Sequence, residues 1–140
     1  MPELLKQTKA FMDEADISDR KSKGQYFTTK DLKDKSLKNI TIEDEEDILE
    51  NSCGTGEFIH SILEMNSNVS IDAFDIDANM IDIVSSHHPS VNAQCRDWLL
   101  DTSDKKYDKI IGNPPYFEIS KEECIKRGYK KFLIFYKFVQ

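Results

Sequence analysis

Ile48-Leu49-Glu50-Asn51-Ser52-Cys53-Gly54-Thr55-Gly56-Glu57-Phe58 is the stretch on which the fold turns. Ile48 and Leu49 read as a short buried strand, and residues 50–56 as a glycine turn. Beyond it Phe58, Ile59, Ile62 and Leu63 recur at helical spacing and share one face. Strand, glycine loop and helix in that order open a nucleotide-binding βαβ unit. Gly54 and Gly56 let the backbone approach a ligand closely and turn its N–H groups toward it. A dinucleotide fingerprint requires a third glycine where Ile59 stands, which argues against a nicotinamide or flavin enzyme.

Working outward, Val69 to Phe74 reads as a second strand ending at Asp75, 19 residues after Gly56. That is the separation at which an acid reaches the two hydroxyls of a ribose. Asp77 follows on the opposite face, and Met80, Ile81 and Val84 give the next helix a sheet-facing side. Gln94 to Trp98 reads as a third strand end, with Asp97 a candidate partner for an adenine amine. Trp98 is either a lid on the same ring or a core residue. A fourth strand, Lys109 to Ile111, leads to Asn113. The fold class expected is α/β, a Rossmann-like doubly wound sheet of which strands one to four are present.

Asn113-Pro114-Pro115-Tyr116 then carries the chemistry. Two prolines forbid both a helix and a continued strand, so the chain stops in a stiff loop at a strand's carboxyl end, where α/β sheets bind ligands. Tyr116 offers a flat face for stacking. An exocyclic amine shares its lone pair with its aromatic ring and is a poor nucleophile until drawn toward tetrahedral geometry. The Asn113 side-chain oxygen and the Pro114 carbonyl can accept its two hydrogens and aim the lone pair, which is catalysis by positioning and electrostatics. A rigid proline turn capped by a surface tyrosine is the plainer alternative.

These motifs together resemble the amino-methylating, adenine-specific DNA methyltransferases that use S-adenosylmethionine. The strings that carry the resemblance are GQYFT at Gly24 to Thr28, ILENSCGTGEF at Ile48 to Phe58, FDID at Phe74 to Asp77, RDWL at Arg96 to Leu99 and IIGNPPYF at Ile110 to Phe117. The resemblance implies that Tyr26, Phe27 and Thr28 contact the methionine end of the cofactor. It implies that Glu50 and the backbone from Cys53 through Gly54 to Gly56 cradle it. Asp75 with Ile76 would hold ribose and adenine, and Asp97 with Trp98 would finish the adenine pocket. Asn113, Pro114, Pro115 and Tyr116 would grip the target adenine, flipped out of the duplex, with Phe117 beside it. Thr29 and Asn51 stand where the family usually has proline, positions that supply no reacting group. The same NPPY loop occurs in enzymes that methylate RNA bases or a protein glutamine, and a non-catalytic cofactor-binding fragment is a further alternative.

At 140 residues the chain is the size of one domain, yet it ends 24 residues after Tyr116. Residues 1–40 read as a helical segment bearing GQYFT, with Leu4, Leu5, Phe11 and Met12 spaced like a docking helix, and residues 41–140 as the catalytic domain. Thr41 to Asp47 reads as an acidic linker into the first strand. Lys130 to Gln140 is an apolar helix pattern, with Phe132, Phe135, Tyr136 and Val139 on one face and no end signal. The chain therefore reads as the N-terminal part of a larger enzyme, or a truncated reading frame, with its target-recognition region absent.

The net charge of −7 is uneven: residues 41–116 hold 4 basic and 16 acidic side chains, against 9 and 7 before them and 6 and 3 after. A duplex-binding face should be basic, so DNA is expected to bind through a region mostly missing here. Lys126, Arg127, Lys130 and Lys131 are either phosphate contacts or a solvated helix face. A restriction endonuclease or specificity subunit is a possible companion. Cys53, Cys95 and Cys124 lack metal-ligand spacing, so no metal is expected, and Cys53 reads as packing in the cofactor loop. His87 and His88 read as a surface loop beside Pro89. With no signal peptide and no apolar run able to span a membrane, an intracellular protein is expected.

Overall fold

Four short parallel strands in the order β3-β2-β1-β4 form the sheet. They are β1 (Asp47–Glu50), β2 (Ser70–Asp75), β3 (Asn92–Cys95) and β4 (Lys109–Ile110). The computed structural model describes residues 3–22, 25–115 and 119–129. Gly24, Tyr116, Phe117 and the apolar pattern at 130–140 lie outside the described residues. Three helices precede the sheet: α1 (Lys6–Glu14), α2 (Ile17–Ser22) and α3 (Lys30–Leu37). The crossovers are α4 (Glu57–Met65) and α5 (Ala78–His87), and α6 (Lys121–Lys126) follows β4.

The strand order decides where a ligand can go. From β1 the chain winds through β2 to β3 on one side, then returns to add β4 on the other side of β1. The loops leaving β1 and β4 therefore diverge and open a crevice at their carboxyl ends. Asp77 caps α5 by accepting the Asn79 N–H at 3.1 Å.

Ile48, Ile71, Ala73 and Ile111 on one face of the sheet join Phe58, Ile59 and Ile62 of α4 and Val84 of α5 in a single buried cluster. Leu37 and Ile42 enter the same cluster, so α3 and the acidic linker close on the core that the sheet builds. Leu49 and Phe74 are buried on the other face. There Asp72 is satisfied by Lys105 at 2.9 Å, Tyr107 at 2.7 Å and Asn92 at 2.8 Å.

Two local readings change. The third strand stops at Cys95, and Trp98 begins a 3-10 turn through Leu100 instead of ending a strand. Asp97 causes this by capping the turn, its Oδ1 accepting the Leu99 N–H at 3.0 Å. The histidine pair divides as well. His87 ends α5 exposed, whereas His88 is buried against Gly56, where a Cβ would meet its ring at 3.2 Å. A residue without a side chain leaves the space that this ring fills.

Candidate active site

Glu50 occupies the last position of β1 with 2 % of its surface exposed, and its Oε1 has no hydrogen-bond partner among the described residues. Burial pushes its carboxyl well above the ordinary range, the Ser52 N–H opposing and the nearby Asp75 reinforcing. Gly112, just after β4, allows this placement: a Cβ there would stand 2.2 Å from Glu50 Oε1. Folding therefore takes up a proton at Glu50 once the unfolded carboxyl is ionised. Its contribution to stability is full below pH 4.5, the ordinary value, and falls as pH rises toward the folded value. Glu50→Gln should flatten that slope and leave the variant increasingly more stable than the parent from pH 5 to pH 8, in urea unfolding at both. Equal differences at the two pH values would refute it.

From Glu50 the chain turns through the glycine loop. Gly54 at φ +51° and Gly56 at φ +90° adopt left-handed backbone that side-chain-bearing residues avoid. The loop is tied to β2 twice, by Cys53 N–H donating to the Phe74 carbonyl and Gly54 N–H to Asp75 Oδ2, both at 2.9 Å. Asp75 Oδ1 accepts the Asp77 N–H at 2.9 Å, so one carboxylate sets both the glycine loop and the next turn. Burial nevertheless raises the Asp75 pKa against these N–H donors. Burial, with Asp75 and Glu50 nearby, pushes the Cys53 thiol up, which marks it as a packing residue.

Gln25 to Thr28 folds over this loop. Phe27 lies on Gly54 and meets Phe11 edge to face at 5.8 Å, while Gln25 donates to Asp77 Oδ2 at 2.9 Å. Thr28 accepts a hydrogen bond from Asn113 Nδ2 at 3.1 Å, joining motifs 85 residues apart. Tyr26 and Ile76 stand exposed at the rim. Trp98 stacks on Phe74 with ring centroids 6.1 Å apart.

Together these elements enclose a cavity of 490 Å³ at the carboxyl ends of the strands. Tyr26, Phe27, Thr28, Glu50, Cys53, Gly54, Asp75, Ile76, Asp97, Trp98, Asn113 and Pro115 all line it. Gly56 and Pro114 are not among the lining residues, and Tyr116 lies outside the described residues.

Sequence reasoning missed three parts of the site. Glu57, 4 % exposed in the first turn of α4, accepts from Leu5 N–H at 2.9 Å, Thr8 Oγ1 at 2.8 Å and Lys33 Nζ at 2.5 Å. Since Thr8 gives its proton to Glu57, Thr55 must be the donor in the 2.7 Å contact between the two threonines. The buried cluster thus ties α1 and α3 to the glycine loop. The second is Tyr129, which donates to Asp97 Oδ2 across the cavity wall, with Arg127 beside it held by Glu123 at 2.7 Å. The third is Gly112, whose one signal is a glycine at a strand end facing an acid.

The sequence matches the Eco57I restriction-modification methylase family over residues 5–140, a span that takes in every wall of the cavity. The chain belongs to that family. This Eco57I-family chain is 33 % identical over 99 residues to the type II methyltransferase M.CvrRI of Paramecium bursaria Chlorella virus XZ-6E, covering 71 % of this chain and 26 % of that protein. It is 37 % identical over 105 residues to the modification methylase CviBIII of Paramecium bursaria Chlorella virus NC1A, covering 70 % and 27 %. The chain thus spans about a quarter of the length of these relatives. A TehB-like SAM-dependent methyltransferase from Corynebacterium glutamicum shares the fold, with a TM-score of 0.52 at 16 % identity over 77 % of this chain and 54 % of that one.

The Eco57I-family chain accordingly has the Rossmann-like fold of S-adenosylmethionine-dependent methyltransferases, in part, and S-adenosylmethionine is the cofactor that fold and family imply. Its own residues fit that molecule. Glu50 offers a buried acceptor without a partner among the described residues, and Asp75, Asp77 and Asp97 make the cavity walls acidic, suiting an ammonium and a sulfonium and opposing a pyrophosphate. No group of three or more His, Cys, Asp or Glu among the described residues is arranged to hold a metal ion. No helix among them is long and apolar enough to cross a membrane.

Proposed function

We propose that this chain supplies the cofactor site and catalytic loop of a DNA methyltransferase that transfers a methyl group to the exocyclic amine of a flipped adenine. What carries the reading is convergence: motifs spread from Tyr26 to Pro115 line one cavity at the switch point of the sheet. When bound, S-adenosylmethionine supplies a methyl group on a sulfonium, an electrophile for in-line attack by nitrogen. Tyr26, Phe27 and Thr28 contact its methionine end, Glu50 and the loop from Cys53 to Gly56 cradle it, Asp75 and Ile76 hold its ribose and adenine, and Asp97 and Trp98 complete the adenine pocket. Asn113 Oδ1 and the Pro114 carbonyl accept the two hydrogens of the target amine, the prolines fixing the geometry. Tyr116 stacks on the base once it has left the duplex. In this scheme residues 1–40 are the segment that closes over the cofactor and residues 41–140 the catalytic domain.

Calorimetric titration of S-adenosylmethionine into this chain tests the cofactor half, with one saturable site expected. Asp75→Ala should weaken binding by about 1–3 kcal/mol, because its carboxylate both meets the ligand and sets the glycine loop. Unchanged affinity would remove Asp75 from the site. Tritiated S-adenosylmethionine offered to the full-length protein with unmethylated DNA, transfer RNA and protein acceptors tests the other half. Label in adenine of DNA is the expected result, and label in RNA or glutamine would replace the substrate assignment.

A further inference from the structure

We infer that Thr28 is a positioning residue for Asn113, fixing the carboxamide so that its oxygen is left to the target amine. This inference rests on the proposed role of Asn113. A carboxamide presents two donors on nitrogen and an acceptor on oxygen, and rotation by half a turn exchanges them. In the wrong orientation Asn113 would set its N–H groups against the N–H groups of the amine, donor against donor. Asn113 Nδ2 donates to Thr28 Oγ1 at 3.1 Å, which turns the nitrogen end toward Thr28 and leaves the oxygen end for the target amine. Thr28 is 9 % exposed, so water competes little for that hydroxyl.

The anchor is itself held. Thr28 immediately precedes Thr29, the N-cap of α3. Three residues into that helix, Lys33 is bound by Glu57 in both side chain and backbone carbonyl, and Leu37 at its end enters the core. The hydroxyl is therefore fixed to the same helix that carries the glycine loop, and the amide inherits that register. Thr28 thus connects cofactor loop and catalytic loop without itself reacting.

The test replaces Thr28 by valine, which keeps the shape and removes the hydroxyl, by alanine, and by serine, which restores the hydroxyl. In the ¹⁵N-labelled chain the Asn113 side-chain amide signals, assigned by their loss in Asn113→Asp, should be dispersed and slow to exchange. In Thr28→Val and Thr28→Ala they should move to free-amide positions and exchange faster, and Thr28→Ser should bring them back. In the full-length protein kcat for methyl transfer should fall about 10- to 100-fold in the valine and alanine variants, the scale of a misplaced positioning group, with serine restoring it and any loss of cofactor affinity smaller than the loss of kcat. Unmoved amide signals would overturn the inference, as would a loss of cofactor affinity equal to the loss of kcat. If Asn113→Ala retains transfer, the proposed function fails instead, and the amide signals still report whether Thr28 holds Asn113.

Discussion

Asn113→Ala should lower methyl transfer by the full-length protein about 100- to 1,000-fold, the scale for removing one preorganised hydrogen-bonding group from a reacting centre. The amine is unreactive while its lone pair is shared with the ring, and the Asn113 oxygen is one of two acceptors proposed to draw it out. Those contacts strengthen as the nitrogen becomes tetrahedral, so the loss should fall on kcat and leave substrate binding nearly intact. Cofactor affinity should stay within a few fold, because the acids proposed to hold the cofactor stand on β1, β2 and the turn after β3. Single-turnover transfer of tritium together with calorimetry on the same variant separates the two effects. Equal losses in both would refute this division of labour.

Lys33→Ala should destabilise the fold by about 3–5 kcal/mol, the range for stripping one partner from a buried ion pair. The side chains of Lys33 and Glu57 are each 5 % exposed, so Glu57 would be left charged in a dry site. Glu57 also holds Leu5 N–H and Thr8, so strain in it reaches α1 as well as the glycine loop beside Thr55. Urea unfolding of both proteins measures the change. Lys33→Met combined with Glu57→Gln should recover much of it, since no uncompensated charge then remains. A loss below about 1 kcal/mol for Lys33→Ala would mean the pair behaves like a solvated surface bridge.

The parts of the fold set by local pattern were legible. Ile48 to Phe58 announced strand, loop and helix because apolar spacing and two glycines act within a dozen residues. Asp75 and Asn113, expected at one crevice, both line the cavity because strand ends of an α/β sheet all open on one side. The cluster around Glu57 was not legible. Its hydrogen-bonded partners are 24 to 52 residues apart, and its polar side chains look like ordinary surface residues until the helices pack. The same applies to Tyr129 and Asp97, 32 residues apart. His88 was misjudged because a polar His-His-Pro run signals a loop, while its burial depends on the vacancy at Gly56. Local signals name elements, and polar contacts between distant elements have no periodicity to reveal them.

Glu50 and Gly112, neighbours in space, are 62 positions apart in the chain. A glutamate at 50 confines 112 to glycine, while an aspartate, one methylene shorter, would draw its oxygens back and admit alanine. Descent should therefore change the two positions as a pair, and a lineage that altered one alone would have to repair the other.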